Sequence, residues 1–258
     1  MGRGGFAEVS GKILTTNQRE AGLFSCYVSA STHKIFSSRS GLLLTEHSWQ
    51  HAIYHVDEPT SRFHTPLNKG REAMAYLTYI IDTYQDLPKM VAFIHPHRMG
   101  WPAAWHNDAP DYDAVTMLTT LREEFVLEHG YANLRCLHNP GCPAEVRPFR
   151  GPYEEGEEHK PHEQVMAASW IELFGGDNSS VPEMLATPCC SQFAVSRSQI
   201  LARPKQEYEH FRDWLLKTKL DDSTSGRVFE YLWHVIFGGE AVHCPNQNSC
   251  YCDQYGRC

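Results

Sequence analysis

Three consecutive stretches constrain this chain more than any other feature. "HAIYHV" (51–56) reads as a strand, "GREAMAYLTYIIDTY" (70–84) as a helix and, after the turn "QDLPK", "MVAFIHPH" (90–97) as a second strand. Ala73, Leu77, Ile80, Ile81 and Tyr84 recur on one helical face, and Asn68 stands near the start as a capping candidate. A strand–helix–strand unit makes its two strands parallel, because the helix carries the chain back to the end it left.

The same alternation continues. "DYDAVTMLTTLREEFVLEHG" reads as one helix stopped by Gly130, "YANLRC" as a short strand and "EQVMAASWIELFGG" as a helix. A strand around "PCCSQFAVS" follows. Then come the helices "RPKQEYEHFRDWLLKT", with Pro204 in its first turn, and "SGRVFEYLWHVIFGG", closed by Gly238 and Gly239. The expectation is one α/β domain over residues 1–258 with a mainly parallel sheet. Residues 1–50 form a divergent N-terminal part, 150–164 an exposed acidic loop, and 243–258 a cysteine-rich tail.

Composition narrows the function. A net charge of −8 argues against a surface coated for nucleic acid. The longest apolar runs, "GLLL" and "MVAFI", are far short of a membrane span. "MGRGGFAEVSGKILTTNQRE" has no apolar signal core, and Phe6 stands where a myristoylation signal wants Ser or Thr, so a cytoplasmic protein without a lipid anchor is expected. Nine cysteines without a secretory signal are then expected to be mostly free thiols, ligands or catalysts.

Three clusters carry candidate chemistry. In the strand reading, Cys189 shares the more apolar face with Phe193 and Val195, whereas Cys190 shares a small, polar face with Gln192 and Ser196. Cys189 is therefore the packed thiol and Cys190 the reactive one; two packed thiols remain the plain alternative. "FIHPHRMGWPAAWHND" (93–108) places His95, His97, Arg98, His106 and Asp108 beyond the carboxyl end of a strand, where open α/β sheets bind ligands. In the last long helix, Arg227, Glu230 and His234 share a face, with Glu230 and His234 four apart so that the carboxylate can orient the imidazole. An ordinary solvated ion-pair face is the alternative. Asp111 and Asp113 in "DYD" are either a helix cap or a metal-holding pair. The tail spacing of Cys244, Cys250, Cys252 and Cys258 lacks a C-x2-C pair, so disulfides or free thiols suit it at least as well as zinc, and Cys136 and Cys142 raise the same choice.

Several long strings, among them "LNKGREAMAYLTYIIDTYQDLP", "FIHPHR", "GYANLRC", "PCCSQFAVSRSQILARP", "FRDWLLKTKLDDSTSGRVFEYLWHVIFG" and "HCPNQNSCYCDQYG", together resemble the arginine-containing cyclodipeptide synthases, part of a broader fungal protein family. The resemblance covers about residues 51–258. It implies a Rossmann-like domain similar in element order to A-type glycosyltransferases. It also implies an enzyme of secondary-metabolite biosynthesis that joins an arginyl group to a second aminoacyl group, both delivered by tRNA, and cyclises them to a diketopiperazine. No metal and no cofactor are expected, because an aminoacyl ester is already activated and the chain lacks a P-loop string.

On that reading Cys190 accepts the first aminoacyl group as a thioester, and Glu230, His234 or His97 serves as base. Glu230 or Asp108 receives the guanidinium. Cys189, Gln192, His95, Arg98, His106 and Arg227 line the substrate site. Arg197, Arg203 and Lys205, with Lys12 and Arg19, are the cations available for tRNA. Two rival readings remain: a metal-dependent enzyme using a nucleotide sugar through Asp111 and Asp113, and a zinc-stabilised interaction domain built on the tail.

Overall fold

The computed structural model describes residues 25–31, 49–153, 155 and 159–258. Lys12 and Arg19 lie outside them. Strands β1 (Ser25–Ser31), β2 (Trp49–His55), β3 (Met90–Ile94), β4 (Tyr131–Asn133) and β5 (Phe193–Ser196) form one sheet in the order β2-β1-β3-β5-β4. β1 runs parallel to both β2 and β3, and helix α1 (Glu72–Thr83) carries the chain between those two. The expected parallel unit is therefore present. β5 is antiparallel to β3 and to β4. The sheet is thus mixed, half parallel and half antiparallel, rather than mainly parallel. The divergent N-terminal part supplies β1, the strand between β2 and β3.

Period-two alternation on the strands sorts side chains into two cores. Val91, Phe93, Phe193 and Val195 face a layer of α1, α6 (Lys205–Lys217), α7 (Asp222–Glu230) and α8 (Trp233–Ile236), where Tyr76 and Trp233 pack on the Phe93 and Phe193 rings. Met90, Ala92, Ile94 and Ala194 face the other way, against Met117, Leu118, Val126 and Tyr255 from α2 (Ala114–Thr120), α3 (Glu123–His129) and α9 (Gln247–Tyr255). Each buried aromatic stabilises the fold by about 1.5–3 kcal/mol.

Several local expectations are corrected. The helix expected from Asp111 to Gly130 is two, because Leu121 and Arg122 are extended and the Arg122 N–H is diverted to the Gln254 carbonyl. The last long helix also breaks after Glu230, and α8 starts afresh at Trp233. α1 opens on Arg71 without a side-chain cap, so Asn68 does not serve. The acidic loop ends at Lys160, where α4 (Pro161–Phe174) begins; Glu163 is buried and accepts from the Arg147 N–H at 2.6 Å and the Tyr153 hydroxyl at 2.7 Å. A short helix, α5 (Arg197–Leu201), follows β5 and is capped by Ser196.

The cysteine expectation is corrected as well. Disulfides join Cys136–Cys250, Cys142–Cys244, Cys252–Cys258 and Cys189–Cys190. Three of them clasp the tail, and none of these eight sulfurs is a free thiol. Such a framework is the habit of oxidising compartments. Among the described residues, no helix is long and apolar enough to cross a membrane.

Candidate functional site

β3 delivers the chain, fully buried, to its carboxyl end, and polarity begins at His95. The His95 N–H donates to Gln192 Oε1 at 3.0 Å, and Gln192 Nε2 donates to the His106 carbonyl at 3.0 Å. Gln192, placed just before β5, thus clips the two histidine segments together rather than presenting itself to a ligand. The rings of His95 and His106 meet edge to face with centroids 4.4 Å apart.

α1 follows β2 in the parallel unit, so its N-terminus opens at this same end of the sheet. That places Arg71 and Glu72 at the site. The Arg71 N–H donates to Asp222 Oδ1 at 3.1 Å, which ties the start of α1 to the start of α7. α7 in turn projects Glu230 from its last turn. The segment before β5 completes the wall: the Cys189 N–H donates to the Pro140 carbonyl at 3.1 Å and the Cys190 N–H to Glu230 Oε1 at 2.7 Å. Gly141 is required at this crossing, since its φ is +122° and a Cβ would lie 2.0 Å from the Thr187 carbonyl.

Arg71, Glu72, His95, Trp105, His106, Pro140, the Cys189–Cys190 pair, Arg227 and Glu230 enclose a narrow cavity of about 60 Å³. The electrostatics set two buried carboxyls against two guanidiniums, Arg71 and Arg227. Burial pushes the Glu72 carboxyl above its ordinary range, against the pull of Ser191, Arg71 and Arg227. Burial also raises Glu230, eased by Arg227 and reinforced by the charge of Glu72. Arg227 Nε lies 3.2 Å from Glu230 Oε2, and Glu230 holds the guanidinium above its ordinary value. Burial, with the charges of His97 and Arg71, lowers His95 to about 4; burial and the His95 charge bring His106 to about 3. Both imidazoles are therefore neutral near pH 7. His95 Nε2 lies 3.9 Å from Glu72 Oε2, across the same cavity.

The expected residues divide accordingly. Cys189, Cys190, Glu230, His95, His106 and Arg227 come together. His97 lies close enough for its charge to reach His95 and His106 but does not line the cavity. His234 is wholly buried elsewhere: the helix break turns it away from Glu230, and its Nε2 lies 3.1 Å from the Ala241 carbonyl. Asp108 is a structural acceptor, taking the Cys136 and Leu137 N–H groups at 2.9 Å and the Tyr251 hydroxyl at 2.7 Å. Arg98 pairs with Asp113 at 3.9 Å. Asp113 caps α2, accepting from the Val115 N–H and the Thr116 hydroxyl, so it is spent as a cap. Two of the expected basic residues do not stand free either, since Arg203 bonds Glu207 and the Ile236 carbonyl and Lys205 pairs with Glu209.

The strand reading of Cys189 and Cys190 fails for a local reason. Cys190 and Ser191 have φ of +90° and +51°, so the chain turns here and alternation begins only at Phe193. With both sulfurs in one disulfide, Cys190 has no thiolate to offer an ester. Glu72, which sequence reasoning missed, carried a readable signal: an acid in the first turn of the helix of a strand–helix–strand unit sits at the ligand end of the sheet.

Neither the curated proteins nor the solved structures contain a match to this chain. A family profile does match residues 39–253, most of the sequence, and the chain accordingly belongs to the family described as "Protein of unknown function (DUF3431)".

Proposed function

We propose that the protein is an aminoacyltransferase that condenses an arginyl group with a second aminoacyl group, both supplied on tRNA, and cyclises the pair to an arginine-containing diketopiperazine. The observation that carries this reading is the convergence of two buried carboxyls, Glu72 and Glu230, in one narrow cavity. A guanidinium is the planar, permanent cation that such a pair recognises. Glu72 receives it, since Glu230 already shares a guanidinium with Arg227.

Glu230 then acts as the base. Burial raises its pKa above the ordinary carboxylate range, which makes it a better proton acceptor, and Arg227 and the Cys190 N–H fix its direction. The amine of one aminoacyl group attacks the ester carbonyl of the other. A C–N bond forms, the C–O bond to the tRNA ribose breaks, and the amine proton passes through Glu230 to the leaving oxygen. A second, intramolecular attack closes the ring and frees the second tRNA. Both substrates are bound at once, and no thioester on Cys190 is part of the scheme.

The finer fold assignment, a Rossmann-like domain of the A-type glycosyltransferase kind, belongs to the same proposal and rests on the parallel β2-β1-β3 half. The cavity favours the synthase over the nucleotide-sugar rival: it suits a side-chain tip, and Asp113 is engaged as a helix cap. Use of charged tRNA requires a cytoplasmic site of action, whereas the four disulfides pull toward an oxidising compartment. Trapping thiols at lysis separates the two. The enzymatic test is incubation of the purified, oxidised protein with tRNA charged with labelled arginine and a second charged tRNA. Labelled diketopiperazine supports the proposal; hydrolysis or no turnover across all second aminoacyl-tRNAs rejects it.

A further inference from the structure

The Cys189–Cys190 disulfide closes no loop, because its residues are adjacent. Disulfides stabilise chiefly by restricting the unfolded chain, and an adjacent pair restricts almost nothing. Its surroundings carry a local cost as well. Cys190 and Ser191 occupy positive φ, a region non-glycine residues rarely adopt. The pair nonetheless forms one wall of the cavity, with Glu230 directly beside it: the two sulfurs and a Glu230 oxygen all lie within 4.8 Å of one another. His95, with Nε2 3.9 Å from Glu72 Oε2, and His106 line the same cavity.

We propose that this pair masks a soft-metal site that reduction opens. A small dithiol gives two electrons and two protons to the S–S bond and leaves as its own cyclic disulfide. Cys189 and Cys190 become adjacent thiols. A zinc ion then displaces their protons and is held by both thiolates and a Glu230 oxygen, a three-ligand set that leaves a fourth position open. In the oxidised state the sulfurs have no thiolate to donate, so the site exists only after reduction. This inference goes beyond the proposed function and does not depend on which substrate the cavity takes.

The test uses the full chain, reduced with a small dithiol, desalted without oxygen and titrated with zinc against a chromophoric competitor. The reduced protein should take up one tightly held zinc that the oxidised protein does not. The Cys189→Ser/Cys190→Ser variant should lose that equivalent, and Glu230→Gln should weaken it by about tenfold or more. Reduction also frees tail thiols, so Cys252→Ser/Cys258→Ser serves as the control and should keep it. Should the paired variant fail to fold, phenylarsine oxide replaces it: in reduced wild-type protein the arsenical should bridge the peptide holding both cysteines and block zinc uptake. Equal uptake by oxidised and reduced protein, unchanged uptake without the pair, or an arsenical bound elsewhere that leaves uptake intact would each overturn the proposal. No tRNA enters these measurements, so they fail or succeed separately from the synthase reading.

Discussion

Two cysteine-rich regions of this molecule use the same bond for opposite ends. The tail clasp spans sequence separations of 114 and 102 residues through Cys136–Cys250 and Cys142–Cys244; Asp108 Oδ2 takes three donors there, and the Tyr255 hydroxyl reaches the Leu134 carbonyl at 2.7 Å. The vicinal pair spans a separation of one and lines a narrow cavity with Glu72, Glu230, His95 and His106. Loops of about 100 residues return about 4–5 kcal/mol of unfolded-state entropy, and adjacent residues return almost none. A region held by long bridges is scaffold. A region that gathers two desolvated carboxyls, two neutral imidazoles and a bond without entropic return is a site.

The largest effect that bears on this contrast is on stability. Cys136→Ala/Cys250→Ala should lower unfolding free energy by about 3–5 kcal/mol, read from urea midpoints, whereas Cys189→Ala/Cys190→Ala should cost under about 1 kcal/mol. Equal losses would erase the distinction. Next come two carboxylates with opposite duties. Asp108→Ala leaves three donors unsatisfied and should cost about 2–3 kcal/mol of stability with turnover per folded molecule unchanged. Glu230→Gln should keep the urea midpoint and lose about 100-fold or more in turnover.

Acidity sharpens the contrast further. His95, His162 and His234 are held near 4 in the fold against 6.5 unfolded, chiefly by burial. Between those values the unfolded chain binds protons that the fold refuses, so stability falls as pH drops through that window. Glu72 and Glu230, raised from 4.5, act with the opposite sign: the fold keeps protons there that the unfolded chain has lost, a stabilisation that fades as pH rises through their folded values. Melting temperature should therefore fall from pH 7 to pH 5, and fall more steeply in Glu72→Gln/Glu230→Gln, which lacks the opposing carboxyls. The smallest effect tests the surface: Lys205→Ala removes an exposed pair with Glu209 and should move stability by less than about 0.5 kcal/mol.

What could be read from the sequence follows the range of the interactions involved. The β2–α1–β3 unit was legible because periodicity is local, and the cluster of histidines at the end of β3 followed from it. The order of the sheet was not, because β1 and the antiparallel β5 are placed by pairings between residues far apart in sequence. Glu230 and His234 looked like one face because helical spacing assumes an unbroken helix; the turn at Tyr231 and Leu232 separates them. Cys190 was misjudged because strand alternation was extended three residues too far, across two positive-φ positions. Asp108 and Glu72 exchanged roles for a similar reason. Asp108 stood beside the histidines in sequence yet faces the tail, whereas Glu72 stood far from them and meets them in space.

The most direct measurement is mass spectrometry of extracts from a host that supplies its own charged tRNAs and expresses either wild-type protein or Glu230→Gln at matched soluble levels. Wild-type extracts should contain diketopiperazines that carry heavy label from arginine, and Glu230→Gln extracts should lack them. Wild-type extracts without such products, or a Glu230→Gln variant that makes them at the wild-type level, would contradict the assignment of this cavity as an arginyl-transfer site.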